Sequence, residues 1–201
     1  MKPYSSEILR HCLQNNIALH EAASTVSAMR RDKLTGLYSR ESFFDKVREM
    51  APAHESGYYV MTCFDLEKFK VINDQYGMQK GDEVLQHIAD AFREGFEPVG
   101  GICCRICADH FAVFYPAAFK DTPEIKAIRR KASLVDGLIS PVHFCIGRYI
   151  VDDVTMSPAA MYDRAMLAAA SIKGRYDEKI ALYSDAMRER LVREQEIVSE
   201  M

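Results

Sequence analysis

Apolar residues in the middle of the chain follow two different spacings, which predict strands alternating with helices. Nearly continuous apolar runs at 58–66 and 142–151 are typical of strands covered on both faces of a sheet. Runs at 100–107 and 110–116 enclose a short tip and predict a hairpin, and a last strand is predicted at 179–184. Apolar residues three and four positions apart predict the helices. These cover residues 39–50, 67–77, 82–96, 122–136 and 157–174. The order predicts an α/β (α+β) fold with a mixed central sheet and helices on its faces.

Both ends of the chain are predicted to be connector helices. Residues 6–31 contain no Pro or Gly and carry a seam at alternating spacings of four and three. The seam consists of Ile8, Cys12, Asn15, Leu19, Ala22, Val26 and Met29. Such a helix either pairs with a second copy of itself, giving a homodimer, or packs on its own domain. The predicted division is therefore a signalling helix at 1–31, a domain at 32–184 and a linker helix at 185–201.

Composition excludes several classes of protein. The chain has 201 residues, of which 48% are hydrophobic and 27% charged, as expected for a globular domain. Its net charge of −3 argues against a nucleic-acid partner. No apolar run approaches the roughly 20 residues of a membrane span, and the N-terminus lacks the apolar segment of a signal peptide. Six cysteines without a secretion signal predict reduced thiols and a cytoplasmic location.

The tip of the predicted hairpin, RICADHF at 105–111, combines residues with several possible roles. A C-x-x-C-x-x-H spacing, which is compatible with zinc ligands, is formed by Cys104, Cys107 and His110. Residues three apart on an extended strand point to opposite faces, however, which argues against convergence of the two thiols. The alternative is that the strand cysteines act as small buried apolar residues.

Three stretches resemble the GGDEF domain, the diguanylate cyclase family. They are RDKLTGLYSRESF at 31–43, FDLEKFKVINDQYGMQKGDEVL at 64–85 and RICADHF at 105–111, in the family's order. The resemblance covers about residues 32–185 and implies a five-stranded sheet similar to nucleotidyl cyclase and polymerase palm folds. It also implies two domains that each hold one GTP and condense the pair into cyclic di-GMP. Mg²⁺ or Mn²⁺ on the phosphates would be the cofactor.

The resemblance assigns roles to individual residues. Asp65, the backbone carbonyl of Leu66, and Asp109 would hold the metal, and Asp65 and Asp109 would be the catalytic acids. Asn73 and Asp82 would bind the guanine. Phe69 and Lys70 would complete the nucleotide site, and Lys173 and Arg175 are nearby basic residues that could replace a family lysine expected near Ala170. Without the resemblance, Asp65 would be interpreted as a strand-end cap, and Asn73 and Asp82 as helix caps.

Several departures affect the catalytic side of the family pattern. Cys107 and Ala108 replace two glycines, which reach left-handed conformations without cost. His110 replaces a glutamate, and its nitrogen suits zinc better than magnesium. Met78 replaces a histidine. Pro98 and Gly101 stand where the family's product-inhibition site has arginine and aspartate, so that site is absent.

These departures predict a degenerate GGDEF domain with little or no cyclase activity. Guanine binding is expected to be retained, and the domain would act as a GTP-binding or dimerisation module in bacterial cyclic di-GMP signalling. RERLVREQEIVSEM at 188–201 resembles the linker that enters an EAL phosphodiesterase domain, which would be the regulated partner. Two alternatives stay open. One is an active diguanylate cyclase that uses Asp65 and Asp109, and the other is an interaction scaffold that binds no nucleotide.

Overall fold

A computed structural model describes residues 30–175, 179–190 and 193 of the chain. The predicted seam at 8–29 lies outside the described residues, as does most of the predicted linker helix, of which residues 185–190 are helical. In the part of the chain that is described, no helix is long and apolar enough to cross a membrane. The division into three segments therefore stays a prediction.

The centre of the fold is a mixed sheet of five strands. The strands are β1 (Tyr59–Leu66), β2 (Ile102–Cys107), β3 (His110–Pro116), β4 (Phe144–Ile150) and β5 (Ile180–Leu182). Their order across the sheet is β2-β3-β1-β4-β5. β1 is antiparallel to both of its neighbours, and only the β4–β5 pair is parallel. This confirms the predicted mixed sheet with one hairpin.

Within the described residues, five α-helices accompany the sheet, in addition to the helical residues 185–190. They are α1 (Arg40–Met50), α2 (Phe69–Tyr76), α3 (Met78–Phe96), α4 (Pro123–Ser133) and α5 (Pro158–Ser171). Ser39, Thr122 and Ser157 cap α1, α4 and α5 through their side-chain oxygens. α3 begins four residues before the predicted 82, because only Gly77, with φ +86°, separates it from α2. α4 ends at Ser133 instead of 136, because Leu134 is extended.

Side chains of β1 alternate between two cores, one on each face of the sheet. Val60 and Phe64 contribute to the core beneath α3, and Met61 and Cys63 to the core beneath α1 and α5. On the second face, α5 lies directly against the backbone of β4. A Cβ on Gly147 would lie 1.8 Å from the carbonyl oxygen of Ala165, so only glycine permits this approach.

We predict that Gly147→Ala destabilises the fold by about 3 kcal/mol, because the new methyl group meets the backbone of α5 and cannot be accommodated by a rotamer change. Gly95→Ala is the matched control. Its Cβ would lie 2.2 Å from Cγ1 and 2.9 Å from Cγ2 of Ile128, so this branched side chain has to shift, but no backbone atom of a neighbouring element obstructs the new methyl group. The control should therefore cost less than Gly147→Ala, about 1–2 kcal/mol, since alanine also favours the helix. Urea denaturation of both variants measures the difference, and equal losses would contradict the backbone contact.

Candidate functional site

Asp65, near the end of β1, is a buried carboxylate held by two basic side chains. Its residue surface is 4% exposed. His110, the cross-strand neighbour on β3, places Nε2 3.3 Å from Oδ1. Lys173, in the turn after α5, donates from Nζ to Oδ2 at 2.7 Å. Both carboxylate oxygens are thus engaged by groups of the chain itself.

The charges of this trio support one another. Burial opposes ionisation of Asp65, but the hydrogen bonds from His110 and Lys173 outweigh it and hold the pKa of the carboxyl below its usual value. The hydrogen bond to Asp65 raises the pKa of His110 to about 9; burial of the ring opposes this, and the Cys107 contact adds to it. The site therefore contains one carboxylate between two cations at neutral pH.

The hairpin tip keeps a left-handed turn without a glycine. Ala108 has φ +40°, a conformation that costs a residue with a Cβ roughly 1–2 kcal/mol. Arg105 Nε donates to the carbonyl of Ala108 at 2.8 Å, and its Nη1 lies 3.5 Å from Asp32 Oδ1. The carbonyl of Asp109 accepts from the backbone N–H of Leu66 at 3.3 Å. The tip is thereby fixed to the end of β1 and to the turn before α1.

The cysteines near the tip differ in their surroundings. Cys104 is fully buried in the core with Phe43 and Ala112, and burial raises the pKa of its thiol. Cys107 is exposed, and its Sγ lies 3.5 Å from His110 Nδ1. Among the described residues, no three His, Cys, Asp or Glu side chains are grouped so that they could hold a metal ion. Within that part of the chain, the spacing of Cys104, Cys107 and His110 therefore does not make a zinc site.

A second cluster, the α2–α3 corner, lies where α2 meets α3 and consists of Phe69, Asn73, Gly81 and Asp82. Asn73 Oδ1 is buried and has no hydrogen-bond partner among the described residues. A Cβ on Gly81 would lie 1.8 Å from this oxygen and 3.3 Å from Phe69 Cζ, so the glycine makes room for both side chains. Asp82, which follows Gly81 in α3, is exposed. A buried acceptor without a donor fits a ligand that supplies one.

The predicted basic residues are separated in the structure. Lys70 is exposed on α2, and Lys173 contacts Asp65. Arg175 instead lines a groove of about 460 Å³ beside α2, together with Val71 and His143. Of the two basic residues proposed as replacements for the family lysine, only Lys173 is therefore seen in contact with the acid of β1.

Two features of the site were not predicted from the sequence. The contact between Cys107 and His110 depends on the irregular register between Arg105 and Cys107, which a residue pattern does not show. The role of Gly81 was missed because the helix was predicted to begin at 82. A glycine between helix-forming residues is a signal of close packing, and it could have identified this contact.

Comparison with known proteins identifies the family. The family model described as "Diguanylate cyclase, GGDEF domain" matches residues 29–157, well over half of the chain. The chain therefore belongs to the GGDEF family.

Individual relatives agree with this assignment. The chain is 23% identical over 148 residues to "Probable diguanylate cyclase DgcT" of Escherichia coli, covering 69% of this chain and 32% of that protein. The coiled coil and GGDEF domain of DgcB from Caulobacter crescentus, solved with c-di-GMP, has a TM-score of 0.75 at 20% identity and covers 88% of this chain and 97% of that one. The S helix-GGDEF-EAL structure of Vibrio cholerae LapD has a TM-score of 0.63 at 16% identity. The match covers 89% of this chain and 45% of that chain.

These matches establish how much of a relative the chain represents. It spans about a third or less of the length of the curated relatives it matches. The solved structures show the fold alone at these identities. The five-stranded palm-like fold expected from the resemblance is confirmed.

The residues at the edge of β1 do not fit the divalent metal that the family implies. Mg²⁺ needs oxygen ligands in near-octahedral geometry. Here the buried carboxylate already accepts from Lys173 and His110, and the glutamate position of the family motif holds the histidine. A metal ion at Asp65 would have to displace one cation of the chain and stand beside the other.

The contact between His110 and Asp65 predicts a pH-dependent stability. A histidine pKa raised from 6.5 to about 9 stabilises the folded state fully below pH 6.5, and this stabilisation is lost as the pH rises through about 9. We expect a loss on the order of 1 kcal/mol, because the ring is 25% exposed and solvent screens the contact. Urea denaturation between pH 6 and about 9.5 should show this loss in the wild type and not in His110→Gln. Parallel profiles of the two proteins would contradict it.

Proposed function

We propose that this chain is a catalytically degenerate GGDEF domain that binds guanine nucleotide and regulates an attached EAL phosphodiesterase domain. One observation carries the loss of catalysis: both oxygens of Asp65 are engaged by Lys173 and His110. In an active member the corresponding acid would bind the metal that neutralises the reacting phosphates. In this chain it neutralises two side chains.

The hairpin tip supports the same conclusion. Removal of one group that stabilises a transition state typically costs about 10²–10³ in rate. This chain lacks the family glutamate, and it places the Cβ of Ala108 and the side chain of Cys107 at the tip, where the family has two glycines. The loss of the glutamate together with the loss of the two glycines should reduce turnover more than either loss alone.

Nucleotide binding is supported by the α2–α3 corner. The orphaned oxygen of Asn73 can accept from an amino or imino group of guanine, and the carboxylate of Asp82 can accept from another. Phe69 and Gly81 define the space beside them. None of these residues takes part in the trio around Asp65, so the base site can persist although the catalytic edge has changed.

The regulatory part of the proposal rests on the relatives. LapD contains an S helix, a GGDEF domain and an EAL domain, and this chain covers 45% of that structure. Residues 185–190, the first part of the predicted linker, are helical. We expect an EAL domain to follow and the seam at 8–29 to form a homodimer.

The alternative functions differ in what they require. An active cyclase is favoured by the presence of both Asp65 and Asp109, and it would need Lys173 and His110 to release the carboxylate. A scaffold that binds no nucleotide would leave the buried oxygen of Asn73 without a donor, which is costly for a polar atom.

Incubation with GTP and Mg²⁺, followed by chromatography, tests the loss of catalysis. We expect GTP to be recovered without cyclic di-GMP, while the same GTP raises the melting temperature of the protein. Cyclic di-GMP formation that Asp65→Ala abolishes would establish the active cyclase instead. Absence of any thermal shift or calorimetric heat with GTP would favour the scaffold.

We predict that Gly81→Ala weakens GTP binding at least about tenfold, because the new Cβ displaces the amide of Asn73 that would bind the base. Folding should change little, since alanine is the better helix residue. Gln79→Ala, at an exposed position of the same helix, is the control and should bind GTP normally. Calorimetric titration measures both, and unchanged affinity in Gly81→Ala would exclude Asn73 from the base site.

A further inference from the structure

The packing of the fold determines the position of Lys173, so its contact with Asp65 is part of the tertiary structure of the domain. α5 lies against the backbone of β4 at Gly147, and the next buried residue after the helix, Ile172, is 2% exposed. Lys173 follows immediately, and Gly174, with φ +84°, ends the turn. The packing of α5 thus brings the ammonium group to an acid 108 positions away in the sequence.

The location of Lys173 leaves it able to bind a second anion. The side chain of Lys173 is 60% exposed, whereas the side chain of Asp65 is only 6% exposed. A lysine ammonium has three donors, and one of them reaches Asp65 Oδ2. Because most of the side chain is exposed, the remaining donors are accessible to solvent. Phe69, the first residue of α2, follows Asp65 by four positions, so the chain runs from the acid that binds this ammonium directly into the α2–α3 corner.

We infer that Lys173 takes the place of the divalent cation at this site and that His110 occupies the place of an oxygen ligand, so that the chain excludes Mg²⁺ and Mn²⁺ from Asp65 and binds the phosphates of a guanine nucleotide in their metal-free form. The part that concerns nucleotide rests on the proposed function. The part that concerns metal rests on the trio alone. Lysine is an established phosphate binder that acts as a point charge. Here its ammonium group, which is bonded to the chain, supplies the positive charge that a dissociable metal ion supplies in the family.

His110 contributes to the exclusion by its place in the sheet. It is paired directly with Asp65 across β1 and β3, and this pairing places the ring beside the carboxylate, with Nε2 3.3 Å from Oδ1. Its other nitrogen, Nδ1, lies 3.5 Å from Cys107 Sγ. A hard oxygen ligand is therefore absent from the position where the family has glutamate, and a divalent cation would face a nitrogen and an ammonium group.

The metal part is tested with Mn²⁺ alone, by following the electron paramagnetic resonance signal of the free ion. The wild type should leave the signal unchanged at Mn²⁺ concentrations up to about millimolar, the upper range for metal sites of weak affinity. The double variant His110→Glu, Lys173→Ala should bind Mn²⁺, because it restores an oxygen ligand and removes the ammonium. Saturable binding by the wild type that Mg²⁺ competes for and Asp65→Asn abolishes would overturn the inference, and this comparison does not depend on the folding of the double variant.

The nucleotide part is tested by titrating GTP calorimetrically in EDTA and in Mg²⁺. We expect the wild type to bind GTP with similar affinity in both, and Lys173→Ala to lose about tenfold in EDTA, the value of one charge-assisted hydrogen bond. Lys126→Ala, an exposed lysine on α4, is the control and should not change affinity. Binding that occurs only with Mg²⁺ would overturn the inference. If no GTP binds under either condition, the proposed function fails, while the Mn²⁺ experiment still decides whether the site excludes metal.

Discussion

The site depends on the compensation of one buried carboxylate. Asp65 is fixed by strand pairing on both sides, opposite His110 on β3 and Cys145 on β4, so it cannot turn outward to solvent. A buried charge without a partner is strongly unfavourable, and removal of one member of a buried ion pair leaves that penalty behind. The sheet therefore requires a positive charge at this edge, whatever its source. In this chain His110 and Lys173 provide it, and the end of β1, the hairpin and the turn after α5 are joined at one point.

Under the proposed function, this compensation explains how the domain can keep the family fold while its chemistry changes. A cation from solvent and a cation of the chain satisfy the same buried acid, but only a divalent metal ion can coordinate phosphate oxygens in a fixed octahedral geometry during a reaction. Under the proposed function, Lys173 retains the electrostatic part of that role, because an ammonium attracts phosphate. It does not retain the coordination geometry. The presence of Asp65 in the sequence is thus no measure of activity, since the partners of the acid decide what it does.

The sequence was sufficient for the strands, the hairpin and the acid at the end of β1, because each depends on short-range periodicity or on a motif. It also placed Lys173 among the candidates. It could not show that Lys173, and not Arg175, contacts Asp65, because that choice follows from the approach of α5 to Gly147, a contact between distant segments. The α2–α3 corner shows the same limit. Asn73 and Asp82 were expected from the motif, whereas the buried, unpartnered oxygen of Asn73 depends on the position of Gly81 inside α3.

The hairpin tip shows that the shape of the site is partly independent of the residues that catalysis requires. Ala108 adopts a left-handed conformation that glycine would adopt without cost, and the strain of roughly 1–2 kcal/mol is offset by other contacts. Arg105 donates to the Ala108 carbonyl and pairs with Asp32, whose side chain also accepts from Thr35. These contacts connect the tip to the turn before α1, outside the trio. The turn can therefore survive the loss of its glycines and its glutamate, and under the proposed function this survival keeps the fold intact for binding and regulation.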